Sequence, residues 1–99
     1  MKYRMEELIN RSYEAIKGWG LINENTSIDD FIDKMHEELQ EVNEALYYPN
    51  EHDIIEEIVD LMTVCMMTLI HNGHNPIKAF EKVGQKNEAR AKRRYKEWG

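Results

Sequence analysis

Residues 27–60 read SIDDFIDKMHEELQEVNEALYYPNEHDIIEEIVD, and this stretch decides the fold. Ser27 is followed by Asp29 and Asp30, an N-cap and two carboxylates suited to the positive end of a helix dipole. Ile28, Phe31, Ile32, Met35, Leu39, Val42 and Leu46 then recur at helical spacing and form one core-facing stripe. Tyr47, Tyr48, Pro49 and Asn50 close that helix, because proline disfavours helix in the residue before it and cannot donate to the ladder. A further helix is predicted from about Glu51 to His71, so the two fold back on each other as a hairpin about Pro49.

Working outward, a first helix is predicted over about 2–17, with Met5, Leu8, Ile9, Ser12 and Ile16 on one side and Gly18 and Gly20 ending it. Trp19 and Leu21 are expected to pack under that turn. The helix of residues 51–71 starts acidic and becomes apolar almost all round, with Leu61, Met62, Val64, Cys65, Met66, Met67, Leu69 and Ile70 leaving no polar face. Such a helix is central, or a second subunit buries it. Asn72 and Gly73 stop it, and Asn75 caps a last helix that has Pro76 at its first position and runs to about Trp98. The predicted helices thus span about 2–17, 27–46, 51–71 and 75–98, an all-α antiparallel four-helix bundle forming a single domain over residues 1–99.

The 13 bases and 19 acids leave a net charge of −6, which disfavours binding nucleic acid over the whole surface. The charge is uneven: Lys86, Arg90, Lys92, Arg93, Arg94 and Lys96 crowd one end, while residues 29–60 are strongly acidic. With one cysteine, Cys65, no internal disulfide or cysteine-based zinc site is possible, and Cys65 reads as a small buried hydrophobe. The longest apolar run, Leu61 to Ile70, is too short to span a bilayer, which takes about 20 residues. No signal peptide is visible at Met1, and a cytoplasmic setting away from membranes is expected.

Candidate chemistry sits on the hairpin. At 100° per residue Glu38 lies about 70° from the centre of the apolar stripe and Glu41 about 130° on the same side, whereas Glu37 points away. On the next helix Glu57 and Asp60 stand beside the Ile54, Ile58, Leu61 and Cys65 stripe, again spaced i, i+3. Folding about Pro49 brings the two acidic pairs level. Four ionised carboxylates facing one another repel, so a cation must sit between them, and an oxygen-only ligand set suits Mg2+ or Mn2+ better than zinc.

The last helix shows an apolar stripe of Phe80, Val83, Gly84, Asn87, Ala91, Tyr95 and Trp98. Asn87 stands where an apolar residue is expected, and a buried Asn needs partners. Lys86 and Arg90 flank the same edge and are placed to present cations to the carboxylates; a solvated basic helix end is the plainer alternative. A phosphate-bearing substrate would use both halves.

Lys34-Met35-His36-Glu37-Glu38-Leu39-Gln40-Glu41 followed by Glu57-Ile58-Val59-Asp60, with fifteen residues between, resembles the EExxE and ExxD signature of the MazG-like all-α nucleoside triphosphate pyrophosphohydrolases. Lys86-Asn87-Glu88-Ala89-Arg90 is similar to that family's Lys-Asn-x-x-Arg segment, and the resemblance covers roughly Ile28 to Tyr95. It implies Mg2+-dependent hydrolysis between the α and β phosphates, giving a nucleoside monophosphate and pyrophosphate, in nucleotide-pool housekeeping. Carried over, Glu38, Glu41, Glu57 and Asp60 would be metal ligands, and Glu37 would join Glu38 and Glu41 in catalysis as an outer carboxylate orienting water. Lys34, Lys86, Asn87 and Arg90 would contact phosphates or sugar, and the chain would form a homodimer or homotetramer. Within that superfamily dUTP or dCTP hydrolases and phosphoribosyl-ATP pyrophosphohydrolase share the acidic pattern; the last usually shows Tyr-His soon after its aspartate, and Leu61, Met62 and Thr63 set that reading behind.

The rival from another class is a non-catalytic helical module that dimerises through residues 51–71 and binds an acidic partner through its basic end. It does not account for two level carboxylate pairs beside a core. His71 and His74 straddle a helix end and are unsuited to sharing a metal, while His52 and Asp53, near the start of the third helix, are candidates for groups behind the metal ligands, with capping and solvation the plainer alternative.

Overall fold

The computed structural model describes residues 4–18 and 20–98, with side chains as far as Arg94. Four helices follow one another: α1 (Met5–Gly18), α2 (Ile28–Tyr47), α3 (Ile54–His71) and α4 (Pro76–Trp98), with no strand among the described residues. The expected start of the first helix at Lys2, the placing of Trp19 and the side chains of Tyr95 and Trp98 lie outside them.

Each boundary has a local cause. Ser27 and Asp30 form a reciprocal capping box at α2: Asp30 N–H donates to Ser27 Oγ at 3.2 Å and Ser27 N–H donates to Asp30 Oδ2 at 2.8 Å. The Ser27 bonds, the backbone one foremost, hold the Asp30 carboxyl below its ordinary range. At the other end α3 starts at Ile54, three residues later than the acidic pattern suggests. Glu51 and His52 donate their N–H groups back to Tyr48 O, and Asp53 Oδ1 accepts from Ile55 and Glu56, so the cap lies at Asp53. After α3 a Schellman turn forms, with Gly73 N–H on Ile70 O, His74 N–H on Leu69 O and Gly73 at φ +83°. Any side chain at Gly73 would be strained.

The α2–α3 hairpin is the largest interface, and α1 lies against α3. The core is small: Ile22, Phe31 and Met67 are buried together, with Tyr13 and Ile16 against them. Ile22 takes the place expected of Leu21, which is exposed. His71 ties three elements: one ring nitrogen meets Tyr13 Oη at 3.1 Å, the other meets Thr26 O at 2.9 Å, and its ring packs on Phe31. Cys65, read from the sequence as buried, is exposed, because α2 and α1 cover the other sides of α3 and leave its side free.

α4 begins firmly and then departs. Asn75 Oδ1 accepts from Ile77 and Lys78, Asn75 Nδ2 donates to Glu6 Oε1 at 3.0 Å, and Pro76 is buried. From Phe80 to Arg94 every residue is exposed except the half-buried Gly84. The radius of gyration is 16.6 Å, against about 13 Å for a compact chain of this length. Met67, only 2% exposed, anchors what core there is. Met67→Ala is expected to lower stability by about 2–5 kcal/mol in urea unfolding, by lost burial and the cavity left behind.

Candidate metal centre

Glu38 and Glu41 occupy successive turns of α2, and Glu57 stands on the facing side of α3 one turn after its cap. One carboxylate oxygen from each lies within 4.8 Å of the others. Glu38 is 7% exposed, Glu41 and Glu57 are half-buried. Two oxygens, Glu38 Oε2 and Glu57 Oε2, are buried with no hydrogen-bond partner. At an effective dielectric of ~20, two ionised carboxylates this close repel by about 3 kcal/mol. Buried oxygens without donors and like charges in contact are together the arrangement a hard divalent cation relieves, so Glu38, Glu41 and Glu57 fit the ligand set of such an ion.

One cation is supplied by the chain itself. Lys34 Nζ lies 3.3 Å from Glu38 Oε1 and 3.2 Å from Glu37 Oε2. The hydrogen bond to Glu37, more than any other influence, holds the Lys34 ammonium above its ordinary value of 10.5. A raised lysine value means that the contribution of these bonds to stability is present at neutral pH and is lost only as pH climbs above that value. Half-exposed, the pair contributes at most about 1 kcal/mol. Lys34, expected to meet phosphate, thus meets Glu37 and Glu38, and it also lines a cavity of about 320 Å³ with Ile16, Ile22, Phe31, Val64 and Met67.

The other expected site residues are placed differently. Asp60 is exposed and stands outside the trio, although it follows Glu57 at the same i, i+3 spacing by which Glu41 follows Glu38. Glu37 is exposed, as the helical wheel has it, and is held by Lys34. Lys86, Asn87 and Arg90 are all exposed, and the recess beside Asn87 and Arg90 is lined by α4 alone. The inward position expected for Asn87 is therefore corrected: nothing among the described residues packs on that stretch of α4. His52 is the residue the sequence undervalues. Its ring nitrogens stand 3.9 Å from Glu57 Oε1 and 3.9 Å from Glu44 Oε2, beside the cluster, while Asp53 does cap α3. Its place in the α2–α3 turn, close in sequence to Glu57, was the available signal.

A family model described as phosphoribosyl-ATP pyrophosphohydrolase matches residues 5–87. The chain belongs to that family. It lies within the MazG-like all-α nucleoside triphosphate pyrophosphohydrolase superfamily, and the protein is a pyrophosphohydrolase, a hydrolase acting on acid anhydrides. No curated protein and no solved structure matches the chain. The matching family is the branch that the residues after Asp60 set behind, so that ordering is reversed at the level of family. No helix of the described residues is long and apolar enough to cross a membrane.

Removing one charge from the cluster should cost the metal-free protein nothing. Glu57→Gln is expected to leave its melting temperature unchanged or higher, and to abolish the rise that Mg2+ or Mn2+ produces in the unsubstituted chain. An undiminished rise in the variant, by differential scanning fluorimetry, would put the ion elsewhere.

Proposed function

We propose that this pyrophosphohydrolase cleaves the bond between the α and β phosphates of a nucleoside triphosphate, with Mg2+ or Mn2+ held by Glu38, Glu41 and Glu57. The observation that carries the reading is the convergence of three carboxylates, two with unpartnered buried oxygens, within 4.8 Å. When bound, the cation supplies Lewis-acid polarisation of phosphoryl oxygens and lowers the pKa of nearby water. Asp60, exposed on the next turn of α3, reaches the site only as an outer carboxylate.

The chain's own groups do the positioning. Water adds to the α phosphorus, the bridging P–O bond to the β phosphate breaks, and pyrophosphate leaves with the bonding electron pair. The proton lost by water passes to a carboxylate at the site edge; Glu41 is half-buried there. Glu37 keeps Lys34 over Glu38, so an ammonium waits where the triphosphate charge arrives. The apolar cavity that Lys34 lines receives the flat nucleobase, and Lys86, Asn87 and Arg90 serve the phosphates. Nucleotide-pool upkeep is the corresponding cellular role, and a dimer or tetramer the corresponding assembly.

The family match favours a second reading, in which the triphosphate is phosphoribosyl-ATP. Both substrates carry the same scissile anhydride, so one assay separates them. With Mg2+, the protein is expected to release pyrophosphate and no orthophosphate from at least one member of a panel of nucleoside triphosphates and phosphoribosyl-ATP. No turnover across the panel with either Mg2+ or Mn2+ would overturn the proposal. Glu38→Gln is expected to lower turnover by roughly 10²-fold or more, and Glu37→Gln by clearly less, because Glu37 acts only through Lys34.

A further inference from the structure

Two carboxylates of the cluster are divided in the same way. Glu38 has Lys34 Nζ 3.3 Å from its Oε1, while its Oε2 is buried with no partner. Glu57 has His52 Nδ1 3.9 Å from its Oε1, while its Oε2 is likewise buried with no partner. One oxygen of each thus faces a nitrogen of the chain, and the other faces none. Lys34 reaches Glu38 from the preceding turn of the same helix; His52 reaches Glu57 from the connection ahead of α3.

Capping does not account for the His52 ring. Asp53 Oδ1 already accepts from Ile55 and Glu56, and the His52 backbone N–H is taken by Tyr48 O at 3.2 Å. Those bonds fix the backbone on both sides of residue 52 and leave the ring between Glu57 and Glu44. Glu44 Oε2 lies 3.9 Å from Nε2, and Glu44 Oε1 accepts from Gln40 Nε2 at 3.4 Å. The two carboxylates differ in their access to water: the Glu57 side chain is 14% exposed and the Glu44 side chain 42%. A donor matters more to the less hydrated oxygen, where water competes less for it, so the Nδ1 end of the ring carries the larger effect.

We propose that His52 is a positioning residue for Glu57: its Nδ1–H takes Oε1 as acceptor and leaves Oε2 for the divalent ion. The role rests on the metal-binding reading given under Proposed function. At 3.9 Å the ring stands about 1 Å beyond hydrogen-bond length, a gap that a small rotation of either side chain closes. A glutamate that nothing holds spreads over several rotamers, and ordering it is a cost that binding must then meet. A donor on one oxygen removes much of that freedom before the ion arrives. Carboxylates that ligate metals are ordinarily held in this way, and losing the partner weakens metal binding by roughly 10- to 100-fold. His52 touches neither ion nor substrate in this role; it acts through Glu57.

The probe is Mn2+ alone, titrated into the full chain and followed by the electron paramagnetic resonance signal of the free ion. His52→Leu, which removes the donor, is expected to weaken Mn2+ binding about tenfold. His52→Asn sets an amide N–H near the place of Nδ1 and is expected to restore most of that loss. Leucine and asparagine have nearly the same shape, so the difference between them reads the donor and not the bulk. Circular dichroism should show the wild-type helicity in both, because the ring is 31% exposed. If His52→Leu does not fold, His52→Ala replaces it in the same comparison with His52→Asn. Wild-type affinity in the donor-free variant, or equal weakening in that variant and in His52→Asn, would overturn the role and leave the proposed function standing. A wild-type chain that binds no Mn2+ would instead strike the metal reading itself, and this role with it.

Discussion

The crowding of carboxylates across the α2–α3 interface is the constraint on which the rest of this molecule depends. The hairpin can close only if Glu38 and Glu57 come together, and their free oxygens then find no donor. Lys34 offsets part of the repulsion from the turn before Glu38, with Glu37 holding it in place. The remainder is repulsion of the kind that the proposed divalent ion would relieve.

The helix caps make that closure possible. A capping box starts α2 and Asp53 starts α3, so the register across the short connection through Pro49 is set at both ends, and Glu57 falls in the first turn after its cap. His52, in that same connection, stands between Glu44 and Glu57 and adds a second nitrogen-bearing side chain to the acidic surroundings. His71 performs the matching task at the far end, joining α1, the loop at Thr26 and Phe31 on α2. The hairpin is thus tied at both ends while its middle carries the carboxylate cluster.

Apolar surface is distributed in a way that a single chain does not resolve. Among the described residues the buried apolar side chains are Ile22, Phe31, Ala45, Met67 and Pro76, whereas much of α3 and the outer part of α4 remain open. α3 has the composition of a central helix and meets α2, α1 and, over a short stretch, α4; α4 has a stripe that nothing covers along most of its length.

Helix number and type, the capping at Ser27 and Asn75, and the facing of Glu38, Glu41 and Glu57 were legible in the sequence. They follow from periodicity and from groups acting within one or two turns of each other. The tertiary structure decided what depends on the crossing of rods. It placed Asp60 outside the trio although its spacing from Glu57 equals that of Glu41 from Glu38, and it turned Lys34 onto carboxylates within its own helix. It buried Ile22 in place of Leu21, exposed Cys65, and left Asn87 in solvent. A helical wheel states which residues share a line; only the position of the neighbouring helix, or its absence, states which line is inside.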